Sequence, residues 1–107
     1  MAIQLSYTSI HGVVAGKAIH EIIQINYDHL NTTAVCHVVI YQSLEDRKLG
    51  REPLERMEFS FTPSVAAPAA NFLSQAYTAL KKLSTVKDEK SGKGKSINYG
   101  DGKDVDI

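Results

Sequence analysis

Residues 33–42 read TAVCHVVIYQ, an almost unbroken apolar run in which Ala34, Cys36, Val38 and Ile40 fall on one side of an extended chain and Val35, His37, Val39 and Tyr41 on the other. A strand apolar on both faces needs cover on both, so this run is expected at the centre of a sheet. Before it, AIHEIIQINYD (18–28) sets Ile23, Ile25 and Tyr27 against Gln24, Asn26 and Asp28, the period-two pattern of a half-buried strand. The link between them, DHLNTT, is rich in side chains that bond their own backbone and favour reversal, which predicts a hairpin. Further back, IQLSYTS (3–9) alternates Ile3, Leu5 and Tyr7 with Gln4, Ser6 and Thr8 and reads as a first strand. HGVVAGKA (11–18), with two glycines, is a connection or a short irregular strand.

After the central run the pattern breaks at SLEDRKLG (43–50), where Ser43 suits a helix N-cap and Gly50 a left-handed stop. One short helix or a charged excursion at the sheet's edge is expected there. Alternation returns in REPLERMEFSF (51–61), with Met57, Phe59 and Phe61 opposite Glu58, Ser60 and Thr62. Then TPSVAAPAANFLSQAYTALKKL carries Val65, Ala69, Phe72, Leu73, Ala76, Tyr77 and Leu80 at helical spacing, with Pro68 suited to a first turn and Lys81 and Lys82 to a C-terminal end. The order strand, strand, strand, strand, helix, tail predicts an α+β fold. It would be a small antiparallel β-sheet or partial sandwich with one C-terminal amphipathic helix at about 65–83 and an extended polar C-terminal arm at 84–107. The body would then occupy residues 1–83.

At 107 residues, with 43% apolar and 22% charged side chains, the chain is of ordinary single-domain composition. Twelve basic and twelve acidic groups cancel, so no overall field favours nucleic acid, anionic lipid or an acidic substrate. The single Cys36 has no internal disulfide partner and is expected to pack as a small buried hydrophobe. The opening MAIQLSYTSI lacks a basic flank followed by a long apolar run, which predicts neither a secretory signal nor a membrane span and a protein made and kept in the cytoplasm of its producing cell. The sequon at Asn31 reads as a turn.

No constellation states a chemistry. His11, His20, His29 and His37 match no metal-ligand spacing, and scattered strand and loop histidines explain them better. Cys36 and His37 are adjacent on a strand and point to opposite faces, so they do not form a nucleophile and base pair. Glu45, Asp46, Glu52, Glu55 and Glu58 alternate with Arg47, Lys48, Arg51 and Arg56, as in a solvated or interface face rather than a catalytic dyad. Gly94-Lys95-Ser96 resembles the end of a phosphate loop, yet Glu89 stands where its first glycine belongs. Asp101, Asp104 and Asp106 miss the calcium-loop positions. Lys87, Lys90, Lys93 and Lys95 beside Tyr99 could meet phosphates and a base, but five carboxylates in the same segment cancel that charge. The expectation is therefore no enzyme activity, catalytic residue, cofactor, metal or small-molecule substrate, with no membrane contact and nucleic acid disfavoured.

Residues 84–107 contain only Val86, Ile97, Tyr99, Val105 and Ile107 to bury. Ordering each residue costs about 1–2 kcal/mol of backbone entropy, so the arm is expected to be fixed by neighbouring copies, with Ile97 and Tyr99 as anchors and its backbone adding a strand to an open sheet edge. The candidate interface comprises Glu45, Arg47, Arg51 and Arg56 on the charged excursion and Lys93, Lys95, Ile97, Tyr99, Val105 and Ile107 on the arm. A chain lacking 85–107 is expected to fold but not to assemble.

The run VVIYQSLEDRKLGREPLERMEFSF, followed by QAYTALKKL, resembles small virion structural proteins of tailed bacteriophages, found among tail and fibre components. The resemblance rests on Val38 to Ser43, Glu45 to Gly50, Pro53 to Phe61, Ala76-Tyr77 and Leu80-Lys81, and the chain departs from it after Leu83. It implies a non-enzymatic structural component of the tail, baseplate or fibre-attachment region, present in several copies, located in the virion and bound to other virion proteins and to itself. A capsid decoration or neck protein is the alternative within that class. A small phage nucleic-acid-binding or regulatory protein is the alternative outside it.

Overall fold

In the computed structural model, which describes residues 1–9, 11–65 and 71–106, the run at 33–42 becomes the middle strand of seven. The strands are β1 (Ala2–Gln4), β2 (Tyr7–Thr8), β3 (Val14–Ala15), β4 (Ile19–Asp28), β5 (Thr33–Tyr41), β6 (Glu55–Phe61), β7 (Thr85–Asp88), β8 (Gly94–Ser96) and β9 (Lys103–Val105). Helices α1 (Leu44–Lys48) and α2 (Phe72–Lys82) and a 3-10 turn at Tyr99–Asp101 complete the elements among the described residues. The main sheet runs β8-β7-β6-β5-β4-β1-β9, with β2 and β3 forming a separate two-stranded ribbon. Every pairing is antiparallel.

Chain length dictates the sheet's shape. A flat sheet of seven strands measures about 29 Å between its outermost strands at about 4.8 Å per step. The two outermost strands, β8 and β9, are separated in sequence only by Ile97 to Gly102. Even fully extended, such a link spans about 24 Å, and its 3-10 turn shortens it further. The sheet therefore curls into a half-barrel, bringing its edges towards each other. Gly102 lets the link pass close over β1, because a Cβ there would meet Ile3 Cγ2 at 2.3 Å.

The inner face collects Ile3, Ile22, Cys36, Val38, Ile40, Met57, Phe59 and Val86 under Ala76, Tyr77 and Leu80 of α2. In β4, a register shift between Ile22 and Gln24 inserts Ile23 as an extra residue. It changes the parity, so that Ile22 opposite Val38 and Ile25 opposite Cys36 share the inner face. Ile23, expected beside Ile25 and Tyr27, is thereby turned out and is 45% exposed. Tyr77 fastens the bulge: the Ile22 amide donates to its hydroxyl at 3.0 Å, and that hydroxyl donates to the Met1 carbonyl at 2.7 Å.

Ser43 caps α1 by accepting from the Asp46 amide at 3.2 Å, and Gly50 closes the turn at φ +72°, which realises the short helix expected there. Asp28 accepts from the amides of Leu30 and Asn31, so the sequon lies in a turn. The first strand is shorter than expected, since the chain leaves the main sheet after Gln4 and Tyr7 pairs with Ala15 in the ribbon. The long helix also differs. It starts at Phe72, capped by Asn71 accepting from the Ser74 amide at 2.8 Å, while Val65 is non-helical and 69% exposed. Leu73, expected on the apolar stripe, is 42% exposed. Ala69 and Pro68 lie outside the described residues.

The largest correction concerns the C-terminal segment. Rather than extending away as an arm, residues 85–105 return to the body and supply β7 and β8 beside β6 and β9 beside β1. Composition suggested otherwise because a strand ladder is built from backbone amides and carbonyls, which charged and glycine residues supply as well as apolar ones do. Among the described residues of the segment, Val86, Ile97 and Tyr99 are buried, at 3%, 7% and 0% exposure.

Candidate interaction site

The polar side chains of the inner face gather where the C-terminal segment meets the N-terminal strands. Glu55 opens β6 opposite Ile40, on the same face as Met57 and Phe59, so its side chain is only 7% exposed. Lys95 on β8 pairs with the inward-facing Val86 and so reaches the same space. There the Tyr7 hydroxyl donates to Glu55 Oε2, while Lys95 Nζ donates to the Tyr7 hydroxyl at 2.7 Å and to the Thr8 carbonyl at 2.8 Å. Lys95 Nζ lies 3.7 Å from Glu55 Oε2. Burial, then the bond to Glu55, pushes the Tyr7 phenol well above its ordinary range.

A second group adjoins the first. His20, fully buried on β4, meets the ring of Tyr7 edge-on at 5.7 Å and that of Tyr99 at 5.0 Å. Its Nε2 lies 3.0 Å from the Leu5 carbonyl, which only accepts, so that nitrogen carries the proton in the neutral ring. Nδ1 is then the acceptor for the Tyr99 hydroxyl at 2.8 Å. Burial lowers the His20 pKa to about 4, partly opposed by the bond to Leu5, and burial raises the Tyr99 phenol. Together the five side chains join β8 and the 3-10 turn to β2, β4 and β6, and His20 adds the Leu5 backbone between β1 and β2, which is the chemistry of a fastening.

Two openings flank this cluster. A cleft of about 340 Å³ runs between Leu5–Thr8 and Lys95–Asn98, and a pocket of about 200 Å³ is lined by His11, Leu54, Glu55, Arg56, Asp88, Lys90 and Ser91. Cys36 lies elsewhere, wholly buried, with burial pushing its thiol up to about 11.

The structure separates the expected interface residues. Arg47 is held by both carboxylate oxygens of Glu21 at 3.1 Å, and Arg51 by Asp46 at 2.9 Å. Glu45, Arg56 and Lys93 remain exposed. Ile97 and Tyr99, expected to anchor on a neighbour, are buried in this chain's own core, and Lys95 joins the polar cluster. With its ring enclosed, Tyr99 presents no face for stacking on a base. Val105 is half-buried opposite Ala2, and Ile107 lies outside the described residues.

Sequence reasoning missed Tyr7, His20 and Glu55 as members of one group. For Glu55 a signal existed: it has the same parity as Met57, Phe59 and Phe61, marking a carboxylate on the apolar face of its strand. No comparable signal linked Tyr7 or His20 to residues nearly ninety and eighty positions away.

Fold and site together define a small antiparallel half-barrel fastened by its own C-terminal segment. No family model, curated protein or solved structure matches the chain. No helix among the described residues is long and apolar enough to cross a membrane.

Proposed function

We propose that this protein is a non-enzymatic structural component of a bacteriophage particle, in the tail, baseplate or fibre-attachment region, that binds neighbouring subunits. The observation that carries this reading is the use made of the buried polar groups: Tyr7, Glu55, Lys95, His20 and Tyr99 hydrogen-bond to one another and to backbone carbonyls, fastening one segment to the body. The resemblance of residues 38–61 and 76–81 to small tail and fibre proteins supports the same reading.

The docking surface is the charged excursion, where α1 is tied to β4 by the bidentate Arg47–Glu21 pair. It presents Leu49, 60% exposed, among the exposed charges of Glu45, Lys48 and Arg51. An apolar contact ringed by charges of both signs suits a protein partner whose register those charges select. Mass spectrometry of purified particles tests the reading, with a fixed number of copies per particle expected. Particles without the polypeptide, together with DNA or RNA binding that falls steeply with salt, would replace it with the regulatory alternative.

A further inference from the structure

We propose that the C-terminal segment, residues 84–106, is exchanged between two copies of this chain, each copy's segment supplying β7, β8 and β9 to the other's body. This names the partner for the assembly reading above and relies on it only for the setting in which copies become crowded. Without the segment, the body is a four-stranded sheet, β6-β5-β4-β1, whose two edges are both open. One segment closes both. Its ladders run to β6 and β1, and its side-chain anchors are Tyr99 on His20, Lys95 on Tyr7, and Asp104 on Lys81 at 2.7 Å.

Every one of those receiving groups belongs to residues 1–83. A second copy therefore offers an identical seat, on which every contact outside the Leu83–Ser84 link can form again. Only Leu83 and Ser84 lie between the end of α2 and the start of β7, so the change of partner is made in a short hinge. The detached segment is rich in lysine, aspartate and glycine and is well solvated as an open chain. The choice between own and foreign body is then set by concentration: a short link presents its segment at an effective concentration on the order of millimolar. Dilute protein keeps its own segment, whereas copies packed side by side exceed that threshold and trade.

Cross-linking reports the exchange. Glu58 and Lys87 are cross-strand partners on the outer face of β6 and β7, and their Cα atoms, at about 5.5 Å in a hydrogen-bonded pair, suit a disulfide. A Glu58→Cys, Lys87→Cys variant carrying Cys36→Ala is unfolded by acid, returned to neutral pH at a chosen concentration and then oxidised. Below about 10 µM, nearly all links are expected within one chain, whereas at millimolar protein about half are expected to join two chains. Links that stay within one chain at every concentration, including within any dimer, overturn the proposal. The unsubstituted protein, treated in the same way, must yield a dimer by light scattering at millimolar concentration, and a persistent monomer also overturns it. Pure protein that trades segments but is missing from particles removes the phage reading alone. Subunits found in particles without trading remove the exchange alone.

Discussion

At the scale of single residues, His20 shows how burial converts a common side chain into a sensor of acid. Its folded pKa of about 4 lies below the ordinary 6.5, so the unfolded chain binds the proton first as pH falls. The stabilisation is full above about 6.5 and is lost as pH falls towards 4, with about 3 kcal/mol at stake from this group. Urea midpoints measured between pH 7 and 4 should fall accordingly, and a His20→Gln variant should flatten that part of the profile. A slope unchanged in His20→Gln would place the acid sensitivity elsewhere. Lys95→Met removes two hydrogen bonds and the ammonium beside Glu55, with an expected cost of about 1.5–3 kcal/mol in chemical denaturation. An effect below about 0.5 kcal/mol would reduce Lys95 to an ordinary surface lysine.

At the scale of elements, the unbroken apolar run of β5 and the alternation in β6 announced both strands, and Ser43 and Gly50 marked the bounds of α1, because each signal lies within a few residues of its consequence. The β4 bulge escaped notice, since inserting Ile23 is decided by register against β5 and by the Tyr77 hydroxyl from a distant helix. The C-terminal segment, expected to add a strand to a neighbour's sheet edge, adds strands to its own chain's sheet instead, because its place depends on edges that exist only once β6 and β1 are formed. A chain ending at Ser84 loses the burial of Val86, Ile97 and Tyr99, each worth about 1.5–3 kcal/mol, and exposes both sheet edges. Against a typical total of about 5–15 kcal/mol, that truncation should abolish cooperative unfolding, as read by near-ultraviolet circular dichroism and thermal melts. A truncated chain that still melts sharply would show the body to be self-sufficient.

At the scale of the whole molecule, β1 and β9 bring the chain's two ends into one ladder, Ala2 opposite Val105 and Gln4 opposite Lys103. With its closing segment drawn from the far end of the chain, the half-barrel should unfold in a single transition. Intrinsic tyrosine fluorescence and amide exchange at Val38, Gln4 and Lys103 should report the same free energy of opening. Earlier release of Lys103 and Gln4 would mark the segment as a separately melting unit. By itself, the sequence determined the β-rich class, the central strand, the capping residues of α1 and the burial of Ala76, Tyr77 and Leu80 on α2, because hydrophobic period and capping chemistry act locally. Only the tertiary structure decided that a polar tail becomes three strands and that Tyr7, His20, Glu55, Lys95 and Tyr99 meet. Backbone ladders leave no signature in side-chain composition, and contacts across most of the chain exist only after the sheet has curled.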